Sequence, residues 1–373
     1  MLSCMADDLQ SYKRQNARGR GALENPVGRF EKNMRDKSED DLALQAEWNS
    51  YEGENPQIQI KTEIFEDKSK TIISTNDSPD IGMEATVNPY RGCEHGCIYC
   101  YARPGHEYLG LSAGLDFETK IFVKHDAAKL LEKELSTKKW QPKVITFSGV
   151  TDCYQPIERE LKITRQCLEV LREFRNPVAI ITKNQLVARD VDILGEMASY
   201  NAAHVSISVT SLDSHVARKM EPRASQPHLR LKAMEILAKA GVSVGCMIGP
   251  VVPGLTDHEI PNILKAAANA GATSAHYTMI RLPYSVKEHF QIWLRENFPD
   301  RAERVLSHIR DVRHGKLYES AFGERMTGSG VYADQVANMM KLFKKKYNLE
   351  KHWRHLSIAH FRSDAKAAQL SLF

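Results

Sequence analysis

The sequence has no apolar run long enough to span a bilayer. Its longest apolar stretch, residues 242–255, is interrupted by three glycines and two prolines, whereas a transmembrane helix needs about 20 predominantly apolar residues. Asp7 and Asp8 occupy the region where a secretory signal would have its apolar segment. We therefore expect a cytoplasmic protein without a membrane partner.

The chain also lacks a strong net charge and a disulfide framework. Its 373 residues include 51 Lys and Arg against 47 Asp and Glu, a formal net charge of +4, which permits a nucleic-acid partner without indicating one. Seven cysteines are present. An odd number, with three of them clustered, indicates reduced thiols and a metal site. The length allows one large domain with extensions or two domains.

Two common nucleotide-binding motifs are missing as well. No Gly-x-Gly-x-x-Gly follows the first predicted strand, which argues against a Rossmann dinucleotide site. The glycine-rich segment 323–330 lacks the Lys-Ser/Thr ending of a Walker loop. The sequence therefore gives no sign of the two most common phosphate-binding turns.

What the sequence does contain is a dense group of cysteines. Cys93, Cys97 and Cys100 have the spacing C-x3-C-x2-C. Thiolates are soft ligands that select iron–sulfur clusters, zinc or Cu(I). Three cysteines leave one iron of a four-iron cluster without a protein ligand, unlike the four cysteines of ferredoxin-type carriers. The alternative is a Cys3His zinc site with His95 or His106 as the fourth ligand.

Repeated strand-then-helix units begin at residue 85. The predicted strands are 85–90, 143–148, 178–182, 203–210, 242–248 and 274–280. The predicted helices are 126–135, 158–174, 186–200, 229–240, 257–270 and 286–297, with two more at 301–310 and 331–346. Such alternation implies parallel strands with right-handed crossovers, as in a partial or closed βα barrel or a doubly wound sheet. In βα barrels the chemistry lies at the carboxyl ends of the strands, and the cysteine segment follows the first strand.

Three regions are expected along the chain. Residues 1–60 are polar and predict a partly disordered amino-terminal arm, which is either a solvated tail or a segment that wraps the barrel or touches substrate. Residues 61–297 form the core barrel. The alternating pattern over residues 58–76 predicts a β-hairpin at the start of this core, before the cysteine segment. Residues 298–373 form a basic helical extension. Its segment 341–362 mixes lysines with aromatics, which is typical of a solvated helix face or of phosphate-backbone binding.

The cysteine spacing, with Tyr99 before the last cysteine and βα units after it, resembles the radical S-adenosyl-L-methionine (SAM) superfamily. Segments 92–103 (GCEHGCIYCYAR) and 148–160 (SGVTDCYQPIERE) are similar to its spore photoproduct lyase-like branch. The resemblance covers roughly residues 60–330. It implies a partial (βα)6 TIM-like barrel, a [4Fe-4S] cluster on the three cysteines and SAM on its open iron. An external donor such as flavodoxin or ferredoxin would supply the electron that cleaves SAM to a 5′-deoxyadenosyl radical, which abstracts hydrogen from substrate.

The resemblance also implies where SAM binds. Ser148 would meet the methionine amino group, Lys183 the carboxylate, and segment 245–250 the adenine. The full set of implied SAM contacts is Tyr99, Ser148, Gly149, Asp152, Lys183, Ser206 and Ser208. The lyases carry a cysteine that returns a hydrogen atom to the product, and the nearest thiol here is Cys153, which follows Asp152 instead of preceding it. The alternatives for Cys153 are a secondary redox thiol or a semi-buried residue that behaves as a small hydrophobe. We expect Cys167 and Cys246 to be core residues.

The sequence and the resemblance leave several classes of substrate open. A nucleic acid, as in lyase-type DNA lesion repair, is the first hypothesis, and a peptide, protein or metabolite is the alternative. A zinc-binding or nucleic-acid-binding module without catalysis is the alternative from another class. No duplex-binding hairpin or pocket for a flipped dinucleotide is recognisable in the sequence. Arg281, after the sixth strand, is a candidate for binding an anionic substrate group or for pairing with a barrel carboxylate.

Overall fold

The strands of the computed structural model, which describes residues 19–22, 25–26, 28–30, 60–351 and 355–363, form two sheets. The strands are β1 (Glu63–Glu66), β2 (Ile73–Thr75), β3 (Ala85–Val87), β4 (Tyr90–Arg91), β5 (Lys120–Val123), β6 (Ile145–Phe147), β7 (Val178–Thr182), β8 (Ala203–Ser208), β9 (Ser243–Val251) and β10 (Ser274–Met279). The helices are α1 (Leu115–Thr119), α2 (Ala127–Leu135), α3 (Glu158–Leu161), α4 (Ile163–Glu173), α5 (Val191–Ala198), α6 (Ser214–Met220), α7 (Pro227–Lys239), α8 (Ile260–Asn269), α9 (Val286–Asn297), α10 (Ala302–Asp311) and α11 (Gly330–Lys346). Short 3-10 helices cover Arg103–Leu109, Gln185–Asp190, Asp257–Glu259 and Pro299–Arg301.

The larger sheet has the order β10-β9-β8-β7-β6-β3-β2. Its six strands from β3 to β10 are parallel neighbours in chain order, and β2 is antiparallel to β3 at the edge. A doubly wound sheet would reverse its strand order partway, and this order does not reverse. Within the described residues β10 does not pair with β2. The predicted partial (βα)6 barrel is therefore confirmed, and the barrel is open between β10 and β2.

The parallel strands are covered on both faces. Every residue of β8 is buried, as expected when helices pack outside a barrel and side chains fill its interior. Helix α4 packs the buried Leu168 and Leu171 against the sheet. Cys167 and Cys246 are also buried in this core, which confirms their predicted role. None of the helices in the described ranges is long and apolar enough to cross a bilayer.

The helices and strands depart from the predicted bounds in three informative places. The predicted helix 158–174 is interrupted at Lys162, whose φ of 53° is left-handed, so that α3 and α4 are separate. The predicted helix 186–200 begins as a 3-10 helix and continues as α5. Helix α6 was not predicted, and it begins where the Asp213 carboxylate accepts hydrogen bonds from the N–H groups of His215 and Val216. Short elements of this kind depend on local caps and on tertiary packing.

The predicted hairpin over residues 58–76 is wrong. β1 pairs in parallel with β5 in the smaller sheet, of order β1-β5-β4, whereas β2 pairs with β3 in the larger one. Asp67, just after β1, accepts a hydrogen bond from Arg91 at 2.7 Å and donates its N–H to the carbonyl of Val123. Contacts with distant segments therefore direct the two alternating runs into different sheets.

The basic carboxyl-terminal segment lies at the amino ends of the strands. Helix α11 starts at the carboxyl ends of the strands, where Tyr332 donates a hydrogen bond to Asp257, which follows β9. The 17 residues of this helix span about 25 Å and carry the chain toward the amino ends. Just beyond its lysines, the carbonyl of Leu349 accepts a hydrogen bond from Ala275, at the start of β10. Ser357 in turn donates its N–H to the carbonyl of Asn201, just before β8. This placement argues against a role for segment 341–362 in guiding substrate to the carboxyl ends of the strands.

Candidate active site

The three clustered cysteines line a cavity at the carboxyl ends of the parallel strands, which we call the strand-end cavity. Cys93 and Cys97 are 7% and 8% exposed, and Cys100 is half-buried. The strand-end cavity has a volume of about 220 Å³ and opens to solvent. Asp152 and Lys183, which follow β6 and β7, also line it. The cysteine segment is therefore at the edge of the barrel where a βα architecture has its chemistry.

Glycine allows the turn that leads into the cysteine loop, residues 92–103. Gly92 has a φ of 80°, and a Cβ at this position would lie 2.9 Å from Cε1 of His106. Both the left-handed backbone and the close approach require glycine. The next residue, Cys93, donates its N–H to the carbonyl of Phe117 at 2.9 Å. The first cysteine is thus fixed by its backbone before any metal binds.

The amino-terminal segment 19–22 passes directly behind this loop. The N–H groups of Gly21 and Ala22 donate to the buried Glu118 carboxylate at 2.9 and 2.8 Å, and the Arg20 guanidinium donates to the Glu118 carbonyl at 2.7 Å. A Cβ on Gly21 would lie 1.8 Å from the carbonyl oxygen of Gly96. These residues therefore wrap the core and are not a solvated tail. Most of the predicted arm lies outside the described residues.

Gly21→Ala is expected to lower the iron content of the protein. The added methyl group must displace the Gly96 carbonyl within the cysteine loop, and overpacking of this kind costs about 1–3 kcal/mol. Iron and acid-labile sulfide per chain after anaerobic reconstitution measure the effect. Gly105→Ala is the matched control, since a Cβ there meets no atom within 4 Å. Equal loading of the two variants would show that segment 19–22 does not support the loop.

Both histidines considered as a fourth zinc ligand are engaged elsewhere. His95 has Nδ1 at 3.4 Å from the Asp152 carboxylate and Nε2 at 3.2 Å from the Asn184 amide, and His106 Nε2 bonds the Lys120 carbonyl at 2.9 Å. In the described part of the chain, no three His, Cys, Asp or Glu side chains converge as they would around a single metal ion. A Cys3His zinc site is therefore not formed. The three thiols line one cavity together, which suits a larger cluster.

The three thiols are protonated in the absence of a metal and are free to become ligands of such a cluster. Burial raises the pKa of Cys97 to about 12 and also raises the pKa of Cys100. For Cys93, burial and then the nearby Asp152 charge raise the pKa well above that of an ordinary thiol. The thiols therefore keep their protons at neutral pH unless a metal displaces them. All the cysteines in the described residues are free thiols, so the three are available as ligands.

Asp152 joins the ends of two neighbouring strands. Its Oδ1 accepts hydrogen bonds from the hydroxyl of Thr182 and the N–H of Tyr154, and its Oδ2 accepts the N–H of Lys183, each at 2.8 Å. Burial would raise the pKa of Asp152, but the charge and hydrogen bond of His95 and these N–H groups lower it. Both oxygens are therefore occupied. Asp152 lines the strand-end cavity, and its contact with SAM stays a prediction.

The loop after β6 has a left-handed residue that is not glycine. Ser148 has a φ of 74°, and its hydroxyl accepts the N–H of Cys153 at 2.9 Å. Residues held in sparsely populated backbone regions cluster at functional sites. Ser148 lines the strand-end cavity. Gly149 is not among its lining residues, but its carbonyl accepts a hydrogen bond from the Tyr101 hydroxyl at 2.6 Å.

The remaining predicted SAM contacts divide into two groups. Tyr99, Lys183 and Ser208 line the strand-end cavity, and Lys183 Nζ lies 5.8 Å from the centroid of the Tyr99 ring. Ser206 is not part of the lining, because it lies deeper in the barrel with its hydroxyl 3.0 Å from Nε2 of His204. This deeper position argues against the predicted contact between Ser206 and SAM.

Cys153 does not face the strand-end cavity. Its side chain is fully buried in the hydrophobic core and is absent from the cavity lining. Its N–H is held by the Ser148 hydroxyl, and its carbonyl accepts the Thr164 hydroxyl at 2.8 Å. Burial raises the pKa of Cys153 well above its usual range. Cys153 is thus next to the strand-end cavity but not part of its lining, and its hydrogen-donor role stays a prediction.

Sequence reasoning missed the carboxylate that fixes Tyr99. Glu221, just after α6, is buried and accepts hydrogen bonds from the hydroxyls of Tyr99 and Thr210 and from the guanidinium of Arg230. Burial would raise the pKa of Glu221, but Arg230 and then Lys183 lower it, so the group is a carboxylate. No motif marks Glu221, because 122 positions separate it from Tyr99.

Proteins with similar sequences are spread over bacteria, archaea and viruses. An uncharacterized protein of Mycobacterium tuberculosis is 34% identical over 244 residues, which are 65% of this chain and 71% of the relative. One of Methanocaldococcus jannaschii is 28% identical over 246 residues, 66% of this chain and 87% of the relative. A radical SAM Nalpha-GlyT isomerase of Pseudomonas phage M6 is 24% identical over 225 residues, 59% of this chain and 44% of that protein.

Solved structures and a family model agree on the fold. Spore photoproduct lyase complexed with dinucleoside spore photoproduct matches with a TM-score of 0.53 at 16% identity, over 76% of this chain and 78% of the lyase. A structure of the same lyase with bound AdoMet matches with a TM-score of 0.54 at 16% identity and the same coverage. The Radical SAM superfamily model matches residues 87–267, which include the cysteine loop and β6 to β9. The chain belongs to the radical SAM superfamily and is an enzyme whose cofactors are a [4Fe-4S] cluster and SAM.

Proposed function

We propose that Cys93, Cys97 and Cys100 hold three irons of the cluster and that SAM binds beside it in the strand-end cavity. The observation that carries this proposal is the common cavity, which the three thiols share with Lys183 and with the loop after β6. Bound there, the cluster and SAM supply a 5′-deoxyadenosyl radical that abstracts a hydrogen atom from the substrate.

The polar side chains orient SAM in this proposal. The ammonium group of Lys183 pairs with the SAM carboxylate, and the hydroxyls of Ser148 and Ser208 bind its polar groups. Asp152 acts through Lys183, because its carboxylate accepts the Lys183 N–H at 2.8 Å and so fixes where the side chain emerges from β7. The Tyr99 ring, held by Glu221, forms a rigid surface for the adenine. Positioning of this kind is the protein's main contribution when the cofactor performs the chemistry.

Apolar side chains keep water away from the reacting atoms. Met247 and Pro250 of β9, Met279 of β10 and Ile181 of β7 line the strand-end cavity together with Met326. A carbon radical in water-filled surroundings is open to side reactions, and an apolar wall limits them. The predicted adenine segment 245–250 contributes Met247, Gly249 and Pro250 to this wall.

We further infer that the substrate is a nucleic acid and that the electron comes from an external donor such as flavodoxin or ferredoxin. Radical SAM enzymes need an electron donor. The support for the substrate is the shared fold with spore photoproduct lyase, which was solved with a dinucleoside photoproduct. The cation Arg281 and the exposed Tyr101 ring, which both line the strand-end cavity, suit such a substrate.

Lys183→Met is expected to weaken SAM binding about 10- to 150-fold while the cluster stays intact. The substitution removes one charge-assisted contact, worth about 1.5–3 kcal/mol, and keeps an apolar stem of similar length. Equilibrium binding of SAM to anaerobic, cluster-loaded protein measures the effect, with iron content determined on the same sample. Lys138→Met, at an exposed site, is the control. Equal SAM affinity in the two variants would remove Lys183 from the proposed site.

A further inference from the structure

Arg281 is a cation of the strand-end cavity whose charge interacts with that of Asp80, a carboxylate that already pairs with Arg325 at 2.6 Å. It follows β10, and its guanidinium carbon lies 5.4 Å from the centroid of the Tyr101 ring. Its Nη1 is 3.5 Å from Sδ of Met326, which is a weak acceptor. Its Nε is buried without a hydrogen-bond partner, and no ion pair joins Arg281 to an Asp or Glu of the described residues.

An arginine in this state is costly to the folded protein. A buried donor without a partner costs about 1–3 kcal/mol, and more when the group is charged. The buried Arg230 shows how a protein usually offsets this cost. Its guanidinium donates hydrogen bonds to the carbonyls of Ser225 and Ser208 and to the carboxylate of Glu221. Arg281 has no such partners, although it lines the cavity. Its position is therefore that of a ligand-binding group.

The charges of the strand-end cavity narrow the class of ligand. The lining includes one lysine, Lys183, and one arginine, Arg281. SAM has one carboxylate, and the proposed function pairs that carboxylate with Lys183. The carboxylate of the lining, Asp152, has both oxygens occupied. A free amino acid would bring an ammonium group that finds no free carboxylate there. A ligand with one negative charge and no positive charge fits the remaining Arg281.

One exposed aromatic ring beside Arg281, and two more beside Arg29, narrow the class of ligand further. Tyr101, beside the guanidinium, is 49% exposed. Tyr284, three residues beyond Arg281, is 54% exposed, and the Arg29 guanidinium lies 3.7 Å from its ring centroid. Tyr108 is 73% exposed and also lies near Arg29. Exposed rings interleaved with arginines are typical of surfaces that stack unpaired bases while the cations contact phosphates.

We propose that Arg281 binds a phosphodiester group of a nucleic-acid substrate and that the neighbouring Tyr101 ring contacts an adjacent base. The inference rests on the proposed function, since it assumes that Lys183 serves SAM. A guanidinium offers two parallel N–H donors to a phosphate. Arg281 is then a specificity-determining residue that selects a charged linkage and brings the attached nucleoside into the cavity.

The test compares two probes that differ in one group on the phosphorus of the linkage, an anionic oxygen in one and a neutral methyl group in the other. Thymidylyl-thymidine and its neutral methylphosphonate analogue are titrated into anaerobic holoenzyme loaded with SAM. We expect the wild-type protein to bind the phosphodiester about tenfold more tightly, a difference of about 1.4 kcal/mol. Arg281→Gln is expected to bind both probes equally, and Arg281→Lys to keep part of the preference. Arg295→Gln, at an exposed arginine paired with Glu303, is expected to keep all of it.

Each other result overturns the inference. Wild-type protein without a preference, or Arg281→Gln with an undiminished one, would show that Arg281 does not read the phosphodiester. Tighter binding of an acidic peptide, lost in Arg281→Gln, would assign the residue to a protein substrate instead. The proposed function is tested separately by 5′-deoxyadenosine formation in the reduced wild-type enzyme without a probe. If that product forms while the preference is absent, the Arg281 inference alone fails.

Discussion

Cys97→Ala is expected to abolish cluster assembly and, with it, the formation of 5′-deoxyadenosine. The thiol lines the strand-end cavity, and burial raises its pKa to about 12, so a bound metal is what would keep it as a thiolate. The variant would leave two protein ligands for a four-iron cluster. Even changes in the groups that support a ligand cost about 10–100-fold in metal affinity, and loss of a ligand should cost more. Iron content and chromatographic detection of 5′-deoxyadenosine under dithionite measure the outcome.

Cys246→Ala is the matched control for this prediction. Cys246 is also buried, but it lies in β9 within the hydrophobic core and does not line the strand-end cavity. We expect the control to load iron and to form 5′-deoxyadenosine as the wild-type protein does. If Cys97→Ala retained the same iron content as the control, the ligand assignment would be refuted.

Glu221→Ala is expected to destabilise the protein by about 3–5 kcal/mol, the usual cost of leaving a buried charge without its partner. Arg230 is 1% exposed and would lose its carboxylate partner, and the buried hydroxyls of Tyr99 and Thr210 would lose an acceptor. Denaturant unfolding under anaerobic conditions measures the free energy. Because Tyr99 would also lose its fixed position, SAM affinity should fall with stability.

The control is an ion pair at the surface. Glu303 pairs with Arg295 at 3.1 Å, and both side chains are more than half exposed. Exposed pairs of this kind contribute little, so Glu303→Ala should change the free energy of unfolding far less. Similar losses in the two variants would mean that Glu221 does not hold Arg230 and Tyr99 in place.

Much of the barrel follows from local sequence pattern. The apolar run 178–182 and the amphipathic helix that precedes it need no distant partner to be recognised, and β7 has the predicted bounds. Regular alternation predicted parallel strands in a barrel or a doubly wound sheet, and the family resemblance selected the barrel, whose strand order follows the chain. The prediction of a hairpin over residues 58–76 was wrong because strand pairing there depends on distant segments. Alternation shows that β1 and β2 are strands, but their partners, β5 and β3, are set by packing.

The candidate site was predictable only where its residues are close in sequence. The cysteine spacing and the loop from Ser148 to Asp152 follow strand ends, so their meeting in one cavity could be expected. Side-chain direction could not be read in the same way, as Cys153 and Ser206 show. The contacts of Gly21 with the cysteine loop and of Glu221 with Tyr99 join distant segments, and single residues carry no pattern that reports them.

The electron paramagnetic resonance spectrum of the anaerobically reconstituted and reduced protein, recorded with and without SAM, tests the central claim most directly. A cluster of about four irons held by three cysteines predicts a signal from a reduced [4Fe-4S] centre that changes shape when SAM binds its open iron. The same sample should then yield 5′-deoxyadenosine. A colourless protein with one zinc per chain, or a cluster signal that SAM leaves unchanged, would contradict the assignment of Cys93, Cys97 and Cys100 as the ligands of a SAM-cleaving cluster.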